Sequence, residues 1–252
     1  MNQLTTIAIQ GAMDCEISAL LKEMGEYKEE KHGGFFYYIG EIGELPVVVS
    51  KTDIGFVTAA ASTTLLIEKY QPSIIINQGT AGGHDPKLFV YDLIIGNEVI
   101  NINGFRTGIL EQGQGSDPTT WVHLDSLFPD ENGVHPAPEV LTSDPKLVEI
   151  VLATASTYTY GKVVEGTIGS AEVWNREMDR IHWLRDTFNT SAEEMEAYPA
   201  GKIAKLNNIP YLSFRIISNS EVIDDDTEDL ETAGIYCAEF AVEVVKAIGR
   251  NL

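Results

Sequence analysis

In Ile74-Ile75-Ile76-Asn77-Gln78-Gly79-Thr80-Ala81-Gly82-Gly83, three consecutive β-branched apolar residues run into a cluster of glycines. Pro72 stands just before them. A short apolar run bounded in this way predicts a fully buried central strand. The glycines after it predict a tight turn, because a residue without Cβ lets the backbone bend sharply or approach a ligand closely. Exposed amides in such a turn hold an anion or a hydroxyl-rich sugar. The same residues also fit an ordinary turn after a core strand, and only their neighbours decide between the two.

Before this segment, Gly55 precedes Val57–Tyr70, rich in Ala, Thr and Leu, which predicts a helix leading into the strand. Pro46–Ser50 predicts a strand before that helix, and strand–helix–strand is a parallel crossover. Thr6–Gln10 is a further strand ending at Gly11. Asp14–Met24 places Ile17, Leu20, Leu21 and Met24 at helical spacing, with Asp14 as the expected N-cap. Phe35–Ile39, Asp92–Ile100, Lys162–Ile168 and Pro210–Ile217 predict strands. Helices are expected from Asp144 to about Ser156, within Glu172–Phe188, over Glu196–Asn207 and over Thr227–Gly249. Asn101–Pro138, rich in Gly, Pro, Asn and Asp, is too long for an ordinary connection and predicts a functional or interface-forming excursion. Strands alternate with helices without a linker or repeat. The expectation is one α/β domain over residues 1–252, with sites at the carboxyl ends of its strands.

Composition narrows the partners. Lys and Arg number 17 against 38 Asp and Glu, a formal charge of −21. That balance argues against nucleic acid or an anionic membrane as partner. Two distant cysteines, Cys15 and Cys237, fit reduced thiols in a cytoplasm better than a disulfide framework. The first six residues carry neither a basic region nor an apolar run, so no signal peptide is expected. The five histidines show no metal-ligand spacing. Gly79–Gly83 lacks the Lys-Ser/Thr ending of a nucleoside-triphosphate loop.

Four strand ends carry polar residues together. They are Gly11-Ala12-Met13-Asp14-Cys15-Glu16, Asn77–Gly83, Glu193-Glu194-Met195-Glu196-Ala197 and Arg215-Ile216-Ile217-Ser218-Asn219. In this order and at these separations the set resembles the nucleoside phosphorylase/nucleosidase superfamily, most of all the bacterial 5′-methylthioadenosine/S-adenosylhomocysteine nucleosidases. The resemblance covers nearly the whole chain and is weak over Asn101–Pro138. It implies a single α/β domain with a central mixed sheet flanked by helices, a homodimer, no cofactor, and a purine nucleoside as the small-molecule partner.

The roles implied by the resemblance fit the chemistry. Cleaving a purine–ribose bond builds positive charge on the sugar and negative charge on the leaving base. Glu16 stands where the nucleosidases keep a water-activating carboxylate, although a glutamate in a first helical turn is also ordinary. Glu196 resembles the carboxylate that accepts from ribose hydroxyls, with Met195 packed against the sugar. Trp174 falls where the family keeps an aromatic against the purine, and the backbone of Asn175 would meet the purine edge. Met13 and Ile54 resemble the wall near the 5′ substituent. Leu230 is the apolar candidate nearest the acidic lid Asp224-Asp225-Asp226-Thr227-Glu228. Thr80, Ala81, Gly82, Arg215 and Ser218 complete the expected substrate contacts.

Asn219 departs from the pattern. Adenine-specific nucleosidases have aspartate there, which donates to purine N7 and accepts from the 6-amino group. Asparagine has no proton to give, but its NH₂ and C=O suit a 6-oxopurine. Hexameric phosphorylases put arginines where Glu16 and Asn77 stand, so this chain reads as a hydrolase. The expected function is a nucleosidase acting on methylthioadenosine/S-adenosylhomocysteine-like substrates. The alternatives are a 6-oxopurine nucleosidase or phosphorylase, and a catalytically decayed nucleoside-binding or storage protein.

Overall fold

The glycines after the three isoleucines do not turn the chain. They extend the strand, which runs straight through them from Ile74 to Gly83. The computed structural model describes residues 6–224 and 226–251. The first five residues, where the absence of a signal peptide was read, and Asp225 of the acidic lid lie outside the described residues.

In chain order the elements are β1 (Ile7–Gly11), α1 (Asp14–Met24), β2 (Tyr27–His32), β3 (Phe35–Ile42), β4 (Leu45–Lys51), α2 (Phe56–Tyr70) and β5 (Ile74–Gly83). Next come β6 (Leu93–Asn101), β7 (Phe105–Arg106), β8 (Val122–His123), β9 (Val140–Thr142) and α3 (Pro145–Thr154). The chain then forms β10 (Val163–Ser170), α4 (Met178–Phe188), β11 (Thr190–Glu194), α5 (Ala197–Leu206), β12 (Tyr211–Ser220) and α6 (Leu230–Asn251).

The main sheet runs β11-β10-β6-β12-β5-β1-β4-β3-β2, with β9 beside β6. It is mixed. β1 pairs parallel with both β4 and β5, so β4, α2 and β5 form the expected parallel crossover around β1. β12 pairs parallel with β5 and antiparallel with β6. The last two residues of β5 also pair antiparallel with β11, Gly82 opposite Glu193 and Gly83 opposite Ala192. The sheet therefore folds back on itself around β5.

Alternation along the central strands explains why they are apolar without interruption. Ile74 and Ile76 face Ile7, Ile9, Leu212 and Phe214 in a core shared with α1, α3 and α6. Ile75 faces the other way, with Ala8 and Val48, against Leu66 of α2 and Ala200 and Ala204 of α5. A sheet covered on both faces needs apolar residues at every position. Burying each such Ile or Leu contributes roughly 1.5–3 kcal/mol.

Three expectations are corrected. Asp14 is not the N-cap of α1. Met13 is, and Asp14 is the first helical residue, paired with Lys51 at 2.7 Å. The helix expected over Glu196–Asn207 starts one residue later. Glu193 and Glu194 end β11, Glu196 is the N-cap of α5, and the helix starts at Ala197. β2 was not expected. Its sequence, Tyr-Lys-Glu-Glu-Lys-His, has no apolar alternation, because it is the exposed edge of the sheet and charge there discourages pairing with another chain.

The excursion after β6 packs part of its length on its own chain. Its two-stranded β7–β8 sheet places Phe105 beside Trp121 and against Trp183 and Phe188 of α4. All three of Phe105, Trp121 and Trp183 approach the Arg180 guanidinium within 5 Å of their ring centres. No helix among the described residues is long and apolar enough to cross a membrane.

Candidate active site

A cavity of about 610 Å³, its open mouth included, lies at the carboxyl ends of β1, β5, β11 and β12. β5 forms its floor, and side chains from the other three ends stand around it. Thr80 and Gly82 are two residues apart on that strand and both line the cavity. At the usual strand rise they are roughly 6–7 Å apart.

At the Thr80 end stands Glu16, 3% exposed, at the third position of α1. Its Oε2 accepts from the N–H groups of Ala12 (2.7 Å) and Met13 (3.1 Å), which the start of the helix leaves unpaired. Its Oε1 accepts from the Thr80 N–H (2.8 Å) and hydroxyl (3.2 Å). The carboxylate lies directly over Gly79. A Cβ there would sit 2.5 Å from Glu16 Oε1, so the glycine permits the approach.

Glu196 lines the same end and is buried. Its Oε1 accepts from the Gly55 N–H (2.9 Å), and its Oε2 is 4.0 Å from Arg215 Nη2. Burial raises its pKa well above the ordinary glutamate range, and the Glu194 and Glu16 carboxylates push the same way. Arg215 and the Gly55 amide oppose them.

Arg215 does not reach the cavity, contrary to the expectation that it touches substrate. It is 1% exposed, behind the lining, where its Nε and Nη2 donate to Glu194 Oε2 (3.2 and 2.5 Å) and Nη2 to Asn77. Burial opposes its charge, but Glu194 and Glu196 outweigh that and raise its pKa. Glu194 Oε2 also accepts from the N–H groups of Glu196 and Ala197 (both 2.8 Å), and Oε1 from the Ser170 hydroxyl. Arg215 and Glu194 together thus fix the start of α5 and with it Glu196. Removing one partner of such a buried pair typically costs about 3–5 kcal/mol.

At the Gly82 end stand Ser218 and Asn219. Adjacent residues of a strand normally point to opposite faces. Here Ile217 pairs with Ala81 and Asn219 with Gly82, so Ser218 is an extra residue, a bulge. The bulge lets both side chains line the cavity. The Ser218 hydroxyl donates to Asn219 Oδ1 (3.1 Å). Trp174 lines the mouth, 41% exposed, and Asn175 turns away from it. The Asn175 N–H and side-chain Nδ2 donate to Glu193 Oε1 (2.7 Å) and Oε2 (2.5 Å).

Of the residues singled out in the sequence, Met13, Glu16, Ile54, Thr80, Ala81, Gly82, Trp174, Met195, Glu196, Ser218 and Asn219 all line this one cavity. Asn175 and Arg215 do not. Leu230, suggested as an apolar lid residue, lines it too. Ala12, Val173, Glu193 and Glu194 were missed as lining residues. The signal for Glu193 was present: two consecutive glutamates before Met195 suit a solvated surface, yet both are buried. No group of three potential metal-ligating side chains occurs among the described residues.

Comparison with known proteins agrees with this arrangement. The family model for the phosphorylase superfamily matches residues 6–248. The 5′-methylthioadenosine/S-adenosylhomocysteine nucleosidase of Bacillus pumilus is 29% identical over 247 residues, 95% of this chain and 98% of the relative. Among solved structures, the nucleosidase of the same name from Neisseria meningitidis, in complex with methylthio-immucillin-A, superposes with a TM-score of 0.81. It is 27% identical, covering 97% of this chain and 100% of its own. The futalosine hydrolase of Helicobacter pylori, 20% identical over 99% of both chains, shares the fold with a TM-score of 0.78.

Proposed function

The chain belongs to the phosphorylase superfamily, and from that membership we propose that it is a purine nucleosidase. It hydrolyses the N-glycosidic bond of a purine nucleoside to the free base and a free sugar. Nucleosides like 5′-methylthioadenosine and S-adenosylhomocysteine are the first class to test, because its relatives carry those names.

The observation that carries hydrolysis over phosphorolysis is the charge of the cavity wall. Glu16, Glu193, Glu194 and Glu196 line it, and no lysine, arginine or histidine does among the described residues. The nearby Arg215 is committed to Glu194 and Asn77. A phosphate placed there would meet carboxylates without a cation to hold it.

The residues divide the work as follows. Glu16 is the general base for water. A carboxylate has about four acceptor positions, and the structure fills all four on Glu16. Three are main-chain N–H groups. The fourth, the Thr80 hydroxyl, is the longest contact and sits on a rotatable bond, so water takes its place. Glu196 has one fixed partner, Gly55, and its remaining acceptor positions suit two ribose hydroxyls. Trp174 stacks on the base, while Met13, Ile54 and Leu230 wall the 5′ group. A second reading, a 6-oxopurine nucleosidase, is favoured by Asn219, which cannot act as an acid toward a leaving adenine.

The test is incubation with paired purine nucleosides, with and without phosphate, and identification of the sugar product. Free sugar in a yield independent of phosphate is expected. Sugar 1-phosphate as the main product would overturn hydrolysis, and no product from any purine nucleoside would leave a binding protein.

The assembly we propose is a homodimer that covers the cavity mouth. Ile54 (59% exposed), Val57, Val173 and Trp174 leave apolar surface there, and the Phe56 N–H donating to Glu172 Oε1 (2.9 Å) joins the two segments that carry them. Exposed apolar surface of this kind marks an interaction site. Light scattering at micromolar concentration should give twice the chain mass; a monomer contradicts the proposal.

A further inference from the structure

Glu193 has no part in the water or ribose chemistry described above, yet it is a buried carboxylate on the wall of the cavity. Its place is set by the fold. Glu193 pairs with Gly82 across the β11–β5 contact, and Gly82 is also the register partner of Asn219 on β12. A Cβ built on Gly82 would lie 3.5 Å from Asn219 Nδ2 and 3.8 Å from Glu193 Cγ. The two side chains therefore flank one point of the floor. That point lies two residues along β5 from Thr80, where Glu16 is held, roughly 6–7 Å away. A nucleoside whose anomeric carbon sits near Glu16 carries its six-membered purine ring at about that distance.

The hydrogen bonds at this end fix what each side chain presents. The single proton of the Ser218 hydroxyl is shared between Asn219 Oδ1 (3.1 Å) and the Ala81 carbonyl (3.3 Å), and with Oδ1 toward Ser218 the NH₂ group is left for a ligand. Glu193 receives both N–H donors of Asn175, one on each oxygen, and each oxygen keeps acceptor capacity. His84 Nε2 lies 3.3 Å from Glu193 Oε2. The buried Arg180 guanidinium lies within electrostatic reach of the same carboxylate, which counters the fall that burial causes in the arginine's own pKa. The base thus meets one donor and one acceptor side by side.

Resting on the nucleosidase reading, we propose that Glu193 and Asn219 together read the edge of a 6-oxopurine, Glu193 accepting from N1–H and Asn219 NH₂ donating to O6 or N7. Adenine presents the opposite pattern. Its N1 lone pair would face the Glu193 carboxylate, and its 6-amino group would face the Asn219 NH₂. A site that hydrogen-bonds a polar group strongly rejects an analogue that leaves the partners unpaired. Guanine adds a 2-amino donor beside N1–H and meets the same acceptor. The substrate class is a 6-oxopurine nucleoside, whatever its 5′ group.

Glu193→Gln tests the assignment without changing side-chain shape. The Asn175 N–H holds the new amide oxygen, and the Asn175 side-chain amide flips so that its Oδ1 accepts from one hydrogen of the new NH₂, leaving the other for adenine N1. The readout is kcat/KM for inosine-type and adenosine-type substrates with one 5′ group. Wild type should favour the 6-oxopurine, and the variant should lower that preference by roughly 10- to 100-fold, within the range such polar mismatches give. A wild type that prefers adenine, as it would if Glu193 accepted from a 6-amino group, overturns the proposal. So does a ratio unchanged in the variant. Calorimetry with free hypoxanthine and free adenine provides a reading independent of turnover. Hypoxanthine should bind more tightly, and equal or reversed affinity overturns the proposal even if the protein hydrolyses nothing. Failure to hydrolyse any purine nucleoside, with hypoxanthine still preferred, overturns the nucleosidase reading instead.

Discussion

The two ends of the cavity lie on one strand, two residues apart, and they are built by different means. At the Thr80 end main-chain N–H groups reach all three carboxylates, three on Glu16, two on Glu194 and one on Glu196, and the Arg215 and Ser170 side chains hold Glu194 as well. At the Gly82 end the grip comes from single neighbouring residues, Ser218 on Asn219 and Asn175 on Glu193. Main-chain donors move only with their helix or strand, so the first end is as rigid as the sheet. At the second end one main-chain donor, the Asn175 N–H, holds Glu193, and the side chains of Asn175 and Ser218 supply the rest, so part of it can change with point substitutions. The end proposed for the chemistry is therefore tied to the fold more closely than the end proposed for reading the base.

The strongest way to break this contrast is Glu16→Gln. The amide keeps the size and some of the donors but cannot take a proton from water. Turnover should fall on the order of 10²–10⁴-fold with substrate affinity largely kept. Steady-state kinetics on a folded variant, shown by an unchanged circular dichroism spectrum, decides it. Wild-type kcat would remove Glu16 from the chemistry.

A glycine pair sharpens it. In Gly79→Ala the new Cβ meets Glu16 Oε1 at 2.5 Å and the Glu16 carboxyl carbon at 2.8 Å. Glu16 cannot yield freely, because it is held on both oxygens. A displacement near 1 Å should cost about 10²-fold in kcat, with about 1–3 kcal/mol of stability lost to overpacking. In Gly82→Ala the nearest atom is 3.5 Å away, an ordinary contact. That variant should fold as wild type and change KM more than kcat. Equal effects of the two substitutions on kcat would show that both ends are equally rigid.

The smallest expected effect concerns stability. The folded-state pKa of Glu196 is raised, by burial first and then by Glu194 and Glu16. Its contribution is therefore fully present below the ordinary glutamate pKa and is lost as pH rises through the raised value. Glu196→Gln removes that pH-dependent cost. Its Tm should exceed wild type by roughly 2–6 °C at pH 9 and match it near pH 4, while its grip on ribose weakens. Calorimetric scans at the two pH values check this, and an equal difference at both would contradict the sign.

The amino-acid sequence alone determined the order of the central elements and most of the cavity. Ile74–Ile76 and the apolar run of β12 are buried on both faces, so their composition announces them. Glu16, Glu196 and Asn219 were singled out because the motifs that carry them resemble those of the nucleosidases, and the fold brings all three to one cavity. The sequence was silent where a residue's surroundings come from elsewhere in the chain. β2 is polar because it is an edge, and β11 ends in two glutamates that line the cavity, so neither shows a strand's alternation. Gly79, Gly82 and Gly83 read as a turn, but they continue a strand so that Glu16 and Asn219 can approach its backbone. Asp14 looked like a cap until the Glu16 carboxylate was seen to take the free amides of the helix start. Tertiary structure alone decided that Arg215 is spent on Glu194, that the bulge at Ser218 aims two neighbours into one cavity, and that Glu193 stands beside Asn219. Those facts depend on which strands pair and in what register, which is set by long-range contacts and not by local pattern.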